Sequence, residues 1–376
     1  MKFRIARDDL AEAVSWAARA LPARPTIPVL SGVVLEADGD GLRLSSFDHE
    51  VAARCQIGAD VSEPGRVLVP GRLLADIART LPNQDVLVSS QNEPRVELEC
   101  GRSRFTLPTL GLDEYPALPA MPDVIGSLSR ADFARTVAQV AVAAGRDDTL
   151  PVLTGIRVEL TDRGLTWAAT DRYRLAMREV SWTPTQTGID LAALVPARTL
   201  ADAAKAFTGE TVEIALADGG DGAGLLGLSA DSHRTTMRLL SGEFPKYRSL
   251  LPSESAAVAT TSTESLMDAL RRVALVVERA TPVRLTFSDG TIVLEAGSGE
   301  GALAREEVEG ALSGDEITIA FNPGYLLDGL TAMNSDQVQF NFTTATKPAV
   351  LQPLSGDSDT PDGEYRYLLM PVRLAG

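Results

Sequence analysis

Pro28-Val29-Leu30-Ser31-Gly32-Val33-Val34-Leu35-Glu36 returns 123 residues later as Pro151-Val152-Leu153-Thr154-Gly155-Ile156-Arg157-Val158-Glu159, and a weaker copy follows at Pro282-Val283-Arg284-Leu285-Thr286-Phe287. Each copy is β-branched and alternating, which predicts a strand. Turn residues come next in all three: Asp38-Gly39-Asp40-Gly41, Asp162-Arg163-Gly164 and Asp289-Gly290. A second apolar run then closes a hairpin each time, at Leu42-Arg43-Leu44-Ser45, Leu165-Thr166-Trp167-Ala168 and Thr291-Ile292-Val293-Leu294. One third of 376 residues is about 125, too long for a solenoid unit, so each copy should be a whole domain.

Further segments recur around this hairpin. Before it lies an amphipathic stripe at i, i+4, i+7 and i+11: Leu10, Val14, Ala17, Leu21; Phe133, Val137, Val140, Ala144; and Leu266, Leu270, Val273, Val277. Ser129 with Asp132 and Thr261 with Glu264 have capping-box spacing. After it, Val69-Pro70-Gly71-Arg72-Leu73-Leu74 matches Val195-Pro196-Ala197-Arg198-Thr199-Leu200 and Asn322-Pro323-Gly324-Tyr325-Leu326-Leu327, proline opening a second helix. Glu114-Tyr115-Pro116 and Glu243-Phe244-Pro245 close the first two copies. The expected helices are 8–24, 72–81, 131–148, 198–207, 264–280 and 324–333, and the expected domains 1–122, 123–253 and 254–376. Two helices on antiparallel sheets in each domain make an α+β fold.

Composition limits the function classes. Residues 1–8 lack the apolar run of a secretory signal, and no stretch of 18 apolar residues occurs, so a cytoplasmic location with no membrane partner is expected. Cys55 and Cys100 are 45 apart with no CxxC; two buried thiols fit better than a disulfide or metal site. His49 and His233 are the only imidazoles, and GxSxG, HExxH and P-loop motifs are absent, so nothing points to catalysis. The run Gly219–Gly224 reads as a hairpin tip, and Asp357–Gly363 as an acidic turn with proline where a calcium ligand belongs. The net charge of −16 argues against a basic nucleic-acid binder. The six helical segments together carry only −1 of it.

The chain resembles the beta-subunit family of bacterial DNA polymerase III, the sliding clamps. The likeness spans the whole length. It is carried by Met1-Lys2-Phe3, Arg24-Pro25-Thr26-Ile27-Pro28-Val29-Leu30, Gly101-Arg102-Ser103-Arg104-Phe105, Ala169-Thr170-Asp171-Arg172-Tyr173-Arg174-Leu175-Ala176, Phe244-Pro245-Lys246-Tyr247 and Met370-Pro371-Val372-Arg373-Leu374, in that order on the threefold repeat. The resemblance implies a head-to-tail homodimer: six clamp domains in a ring around duplex DNA, conferring processivity on a replicative polymerase, with no catalysis, cofactor or metal. Helices packed about 10 Å apart give an opening of about 10 Å for six and about 28 Å for twelve; only the dimer admits a duplex.

The resemblance also assigns residues. Arg24 and Arg72 would meet phosphates, with Arg198 and Lys205 on the equivalent helix of the second domain. Arg146 is a further candidate, although Asp147 and Asp148 beside it repel phosphate. A pocket for peptides of the polymerase, clamp loader and repair polymerases would use Leu153, Thr170, Arg172, Arg174, Leu175, Pro245, Leu250, Met370, Pro371, Val372 and Arg373. Arg172 and Tyr173 depart from the small residues common there and would alter peptide preference. Phe105, Leu107 and Leu275 would form the dimer contact. A three-domain scaffold or adhesion protein is the competing reading; it would need neither the paired arginines nor the C-terminal pocket.

Overall fold

The structure, a computed structural model, describes residues 1–90, 94–217, 224–252, 254–277, 281–297, 301–354 and 364–373. The element order repeats three times. A strand runs straight into a helix, a meander follows, a second helix is entered from a strand, and three strands finish the repeat. The described residues contain six α-helices: α1 (Arg7–Ala17), α2 (Gly71–Thr80), α3 (Arg130–Ala141), α4 (Ala197–Ala206), α5 (Thr263–Val273) and α6 (Pro323–Met333).

The first helix of each repeat is shorter than its apolar stripe suggests. α1 tightens into a 3-10 turn at Ala18–Ala20 and α5 at Ala274–Val276, and α3 ends at Ala141. Leu21, Ala144 and Val277 therefore continue the stripe beyond the α-helix. As a correction, Arg24 and Arg146 stand in loops; residues 278–280 of the third expected helix lie outside the described residues.

Three further expectations are corrected. Pro28–Ser31 and Pro151–Thr154 are 3-10 turns leading into strands Gly32–Asp38 and Gly155–Thr161. Ser31 and Thr154 close these turns by donating to the carbonyls of Pro28 and Pro151 at 2.7 and 2.8 Å. The third copy has Leu285 in that place and enters its strand directly at Val283. The cap of α5 is Ser262, whose hydroxyl accepts from Ser265 N, while Thr261 is buried in the preceding strand and donates to Glu309 O. The Ser129 cap of α3 is as expected, accepting from Asp132 N at 3.0 Å. Finally, α6 is offset by one residue from the proline match. Pro70 is the N-cap of α2, but Asn322 caps α6 by accepting from Gly324 N and Tyr325 N, which makes Pro323 the first helical residue. Leu326 thus takes the buried place of Leu74 and Leu200.

Packing divides the chain into two compact units. One comprises residues 1–133, 182–187 and 202–239, and the other 134–181, 188–201 and 240–376. The middle repeat contributes one sheet half to each. In the first unit, a five-stranded sheet ends on Ser103–Pro108, and a nine-stranded sheet joins the repeats where Val51–Ile57 pairs antiparallel with His233–Arg238. In the second, a twelve-stranded sheet joins them where Arg174–Val180 pairs with Tyr365–Leu369. Ala217 pairs with Leu225, and Leu354 and Tyr365 each lie in a strand. Residues 219–223 and 357–363 themselves lie outside the described set.

Each seam is held from below by the residue nine places after its helix start. Trp16 of α1 donates to the carbonyls of Arg54 and Arg234, one on each strand, at 3.1 and 3.3 Å. Gln139 of α3 accepts from Arg178 through its side chain at 2.9 Å and from the Tyr365 hydroxyl through its carbonyl at 3.1 Å. Both cysteines are free and buried. Cys55 faces His233 across the first seam, and burial pushes its thiol up to about 11, so it is no thiolate ligand at neutral pH. No helix of the described residues is long and apolar enough to cross a membrane.

Ser262→Ala and Asn322→Ala should each cost about 1 kcal/mol, read as a lower urea midpoint; Thr261→Ala at the mispredicted cap should act through its buried strand contact and leave α5 helicity unchanged.

Candidate functional site

The second unit holds a cavity of about 560 Å³ between the loop after α3, the turn at 170–174 and the start of α6. Its apolar walls include Ala144, Leu150 and Leu153, and its polar groups include Asn322 and Asp328. The turn is closed by its own side chains. Thr170 Oγ1 donates to Arg174 O and accepts from Arg172 N, while Asp171 Oδ1 accepts from the amides of Tyr173 and Arg174. This tightness forces Arg172 to φ 81°, a left-handed conformation that costs an L-residue about 1–2 kcal/mol. Arg172 and Tyr173 are thereby both presented to solvent.

Tyr173 stacks on Tyr325, the first helical turn of α6, with centroids 6.1 Å apart. Arg174 lies over the Tyr325 ring at 4.4 Å and pairs with Asp171 at 2.9 Å and Asp328 at 2.7 Å. Burial works against its charge, but Tyr367, Asp328 and Asp171 raise its pKa beyond the ordinary arginine range. Arg174 is therefore occupied within the wall. Arg146 and Arg172 line the same cavity with no carboxylate within 4 Å among the described residues. Asp147 sits beside them, its carboxyl held below the usual range by the hydroxyl and amide of Thr149. The site can thus take an apolar segment lying on an aromatic shelf, with a negatively charged group near Arg172.

Of the expected pocket residues, the structure brings Leu153, Arg172 and Arg174 together in this cavity. Thr170 and Leu175 are buried behind it, Leu175 in a cluster with Phe244, Tyr247, Val350 and Leu368. Met370 is exposed and its amide is bound by Tyr173 O at 2.9 Å; Val372 N donates to Ala320 O at 2.8 Å. Pro371 is half-buried and Arg373 exposed. Pro245 lines a separate cavity with Arg157, Glu159 and Arg248, and Leu250 is exposed near that segment. Sequence reasoning missed Asn322, Tyr325 and Asp328. Their signal was the departure of the third helix entry from its two arginine-bearing counterparts.

Arg24 and Arg72 come together in the first unit: both are exposed, and Arg72 donates to Pro22 O at 3.1 Å, in the loop that carries Arg24. Arg198 and Lys205 are exposed on the first and last turns of α4. Arg146 belongs to the cavity described above. Phe105 is exposed on its edge strand and Leu275 is 84 % exposed, whereas Leu107, on the same strand as Phe105, is buried at 1 %. Among the described residues no group of three or more His, Cys, Asp or Glu is arranged to hold a metal.

Comparison with known proteins decides the family. Residues 1–119, 127–246 and 248–373 match the N-terminal, central and C-terminal domain models of the DNA polymerase III beta subunit. The chain belongs to the beta sliding clamp family. It is 54 % identical to the beta sliding clamp of Streptomyces coelicolor over the full length of both chains. With that of Micrococcus luteus it shares 48 % over 82 % of this chain and 98 % of the other. The crystal structure of the DNA polymerase III subunit beta of Pseudomonas aeruginosa, 29 % identical, superposes with a TM-score of 0.89 over all of both chains. A sliding clamp is a replication factor without catalytic activity.

Arg174→Ala should destabilise the clamp by about 3 kcal/mol, because it leaves a half-buried carboxylate cluster unpaired; chemical denaturation showing a loss below about 1 kcal/mol would mean that the guanidinium is not part of the wall.

Proposed function

We propose that two copies of this chain close head to tail into a ring around duplex DNA in the cytoplasm, tethering a replicative polymerase. The observation that carries this reading is a seam made twice and left open once. Strands 51–57 and 174–180 are both paired with a strand from another repeat. Their counterpart in the third repeat, Ala304–Ser313, pairs with Gly290–Ala296 on one side, and with Ala257–Ser262 only from Gly310 onward. Among the described residues, 304–308 thus keep a free edge, the Glu309 carbonyl being taken by the Thr261 hydroxyl. Ser103–Pro108, the counterpart of 233–238 and 365–369, is likewise an edge strand. Unpaired edges seek a partner, and each copy would supply what the other lacks. Beneath the open strand, Arg272 stands nine residues into α5, where Trp16 and Gln139 stand in their helices, and it grips Glu306 at 2.5 and 2.6 Å. Leu275, with its high exposure, lies just beyond.

Inside the ring, Arg24, Arg72, Arg198 and Lys205 would make phosphate contacts that carry no sequence information, which permits sliding. The cavity beside Tyr173 and Tyr325 would receive short apolar peptides from the replicative polymerase, the clamp loader and repair polymerases, with Met370, Pro371 and Val372 at its rim.

The test is retention. After loading on a nicked circular plasmid, the protein should co-elute with DNA and leave when the plasmid is linearised; equal retention on both forms would refute encirclement. Arg24→Ala with Arg72→Ala should lower polymerase stimulation about tenfold and flatten its salt dependence. Deleting residues 372–376 should abolish stimulation while light scattering still gives twice the chain mass; joint loss of both would make the tail structural.

A further inference from the structure

The nine-stranded sheet of the first unit carries a polar cluster that none of these surfaces uses. At the seam, Cys55 and His233 turn toward Trp16. Arg54 and Arg234, one residue along and directly opposite each other, turn to the other face, as do Ala52 and its opposite, Thr236. Like charges placed directly opposite across strands destabilise the pair. Their arginine neighbours are matched: Arg43 to Glu36 and Asp38, and Arg66 to Glu36. Among the described residues neither Arg54 nor Arg234 has a carboxylate within 4 Å. The closest acidic group along that row, Glu213, is taken by the Ser229 hydroxyl at 2.6 Å. Burial, then Arg43 and Arg234, press the Arg54 pKa downward and outweigh the opposing pull of Glu36.

A second observation comes from Thr236. It is only 6 % exposed, and its hydroxyl has no hydrogen-bond partner among the described residues. An orphan buried hydroxyl costs about 1–3 kcal/mol. Thr236, Arg54 and Arg234 line one slot, roofed by Leu118, Pro119 and Met121. The roof lies close: a Cβ on Gly227 would come within 2.6 Å of the Met121 sulfur. The enclosed part of the slot is about 20 Å³, room for a single oxygen and not for a base or sugar.

We propose that this slot is a binding site for a phosphate-class oxyanion, with Arg54 and Arg234 supplying two guanidinium forks and Thr236 Oγ1 a third donor to the buried oxygen. Three donors from two adjacent strands on one face suit a tetrahedral anion, whereas one fork suffices for a flat carboxylate. Occupancy removes the cross-strand repulsion and satisfies the orphan hydroxyl in one step. Free inorganic phosphate and the terminal phosphate of a monoester present the same chemistry, and the apolar roof favours the monoester.

Calorimetric titration of the full chain, at ionic strength held constant with chloride, tests the site with inorganic phosphate and with phenyl phosphate. The expected result is saturable binding of one ion per chain. Arg54→Gln and Thr236→Val should each weaken it about tenfold, and the neighbouring Arg43→Gln should change it less than about twofold. Arg54→Gln should also abolish the rise in melting temperature that phosphate gives the parent protein, while its own melting temperature in phosphate-free buffer is no lower. Tighter binding of phenyl phosphate identifies a monoester as the occupant, and equal affinity identifies the free ion. No saturable heat with either ligand, or equal weakening by Arg43→Gln, overturns the proposal.

Discussion

A strand at the edge of a sheet exposes a row of amides and carbonyls that must find partners in water or in protein. This chain makes three domain-sized repeats, each with such an edge at either end of its meander. Two of the resulting junctions are made inside the chain, where Arg54 pairs opposite Arg234 and Ala176 opposite Tyr367. The third pair of edges, at 103–108 and 304–308, is left over among the described residues. Sheet continuity within each compact unit therefore depends on the same interaction that a second copy of the chain would extend.

The helices beneath the sheets reinforce that interaction with different chemistry at one position. Trp16 bridges two backbone carbonyls, Gln139 reaches a buried arginine and a tyrosine, and the exposed Arg272 holds a half-buried glutamate. The first two are sealed in an interior. The third remains polar and accessible, as a residue must be if its seam forms only between molecules. The strongly acidic balance, −16 over the chain, leaves the helical segments nearly neutral, so the proposed encirclement would need only a few local phosphate contacts.

Much of the fold was legible because its signals are periodic. The Pro-Val-Leu copies, the hairpin turns, the apolar stripes and the proline-opened junctions each recur at the repeat spacing, and the last two located the six helices of the described residues. What failed were local decisions made by single side chains. Ser31 and Thr154 converted an apparent strand start into a 3-10 turn. Ser262 took the cap from Thr261, and Asn322 moved α6 by one residue, which a match of prolines cannot reveal. The pocket was partly legible: Leu153, Arg172 and Arg174 converge, but Arg174 is consumed by Asp171 and Asp328, and Tyr325 and Asp328 come from a segment distant in sequence. Alternation alone could not show that Leu107 faces its own core while Phe105, two residues earlier on the same side, is exposed at the end of the sheet.

The two internal seams fix a register for the third. Cys55 opposite His233 and Arg178 opposite Tyr365 correspond, through the matching hairpins, to Glu306 opposite Ser103, so the proposed contact would set Phe105 against Ala304 of the other copy. Cysteines introduced at positions 105 and 304 of one chain should oxidise to a disulfide-linked dimer that reductant reverses, the native thiols being buried. Absence of that dimer, or an equal yield from a pair at 105 and 308, would contradict strand pairing between copies and the ring built on it.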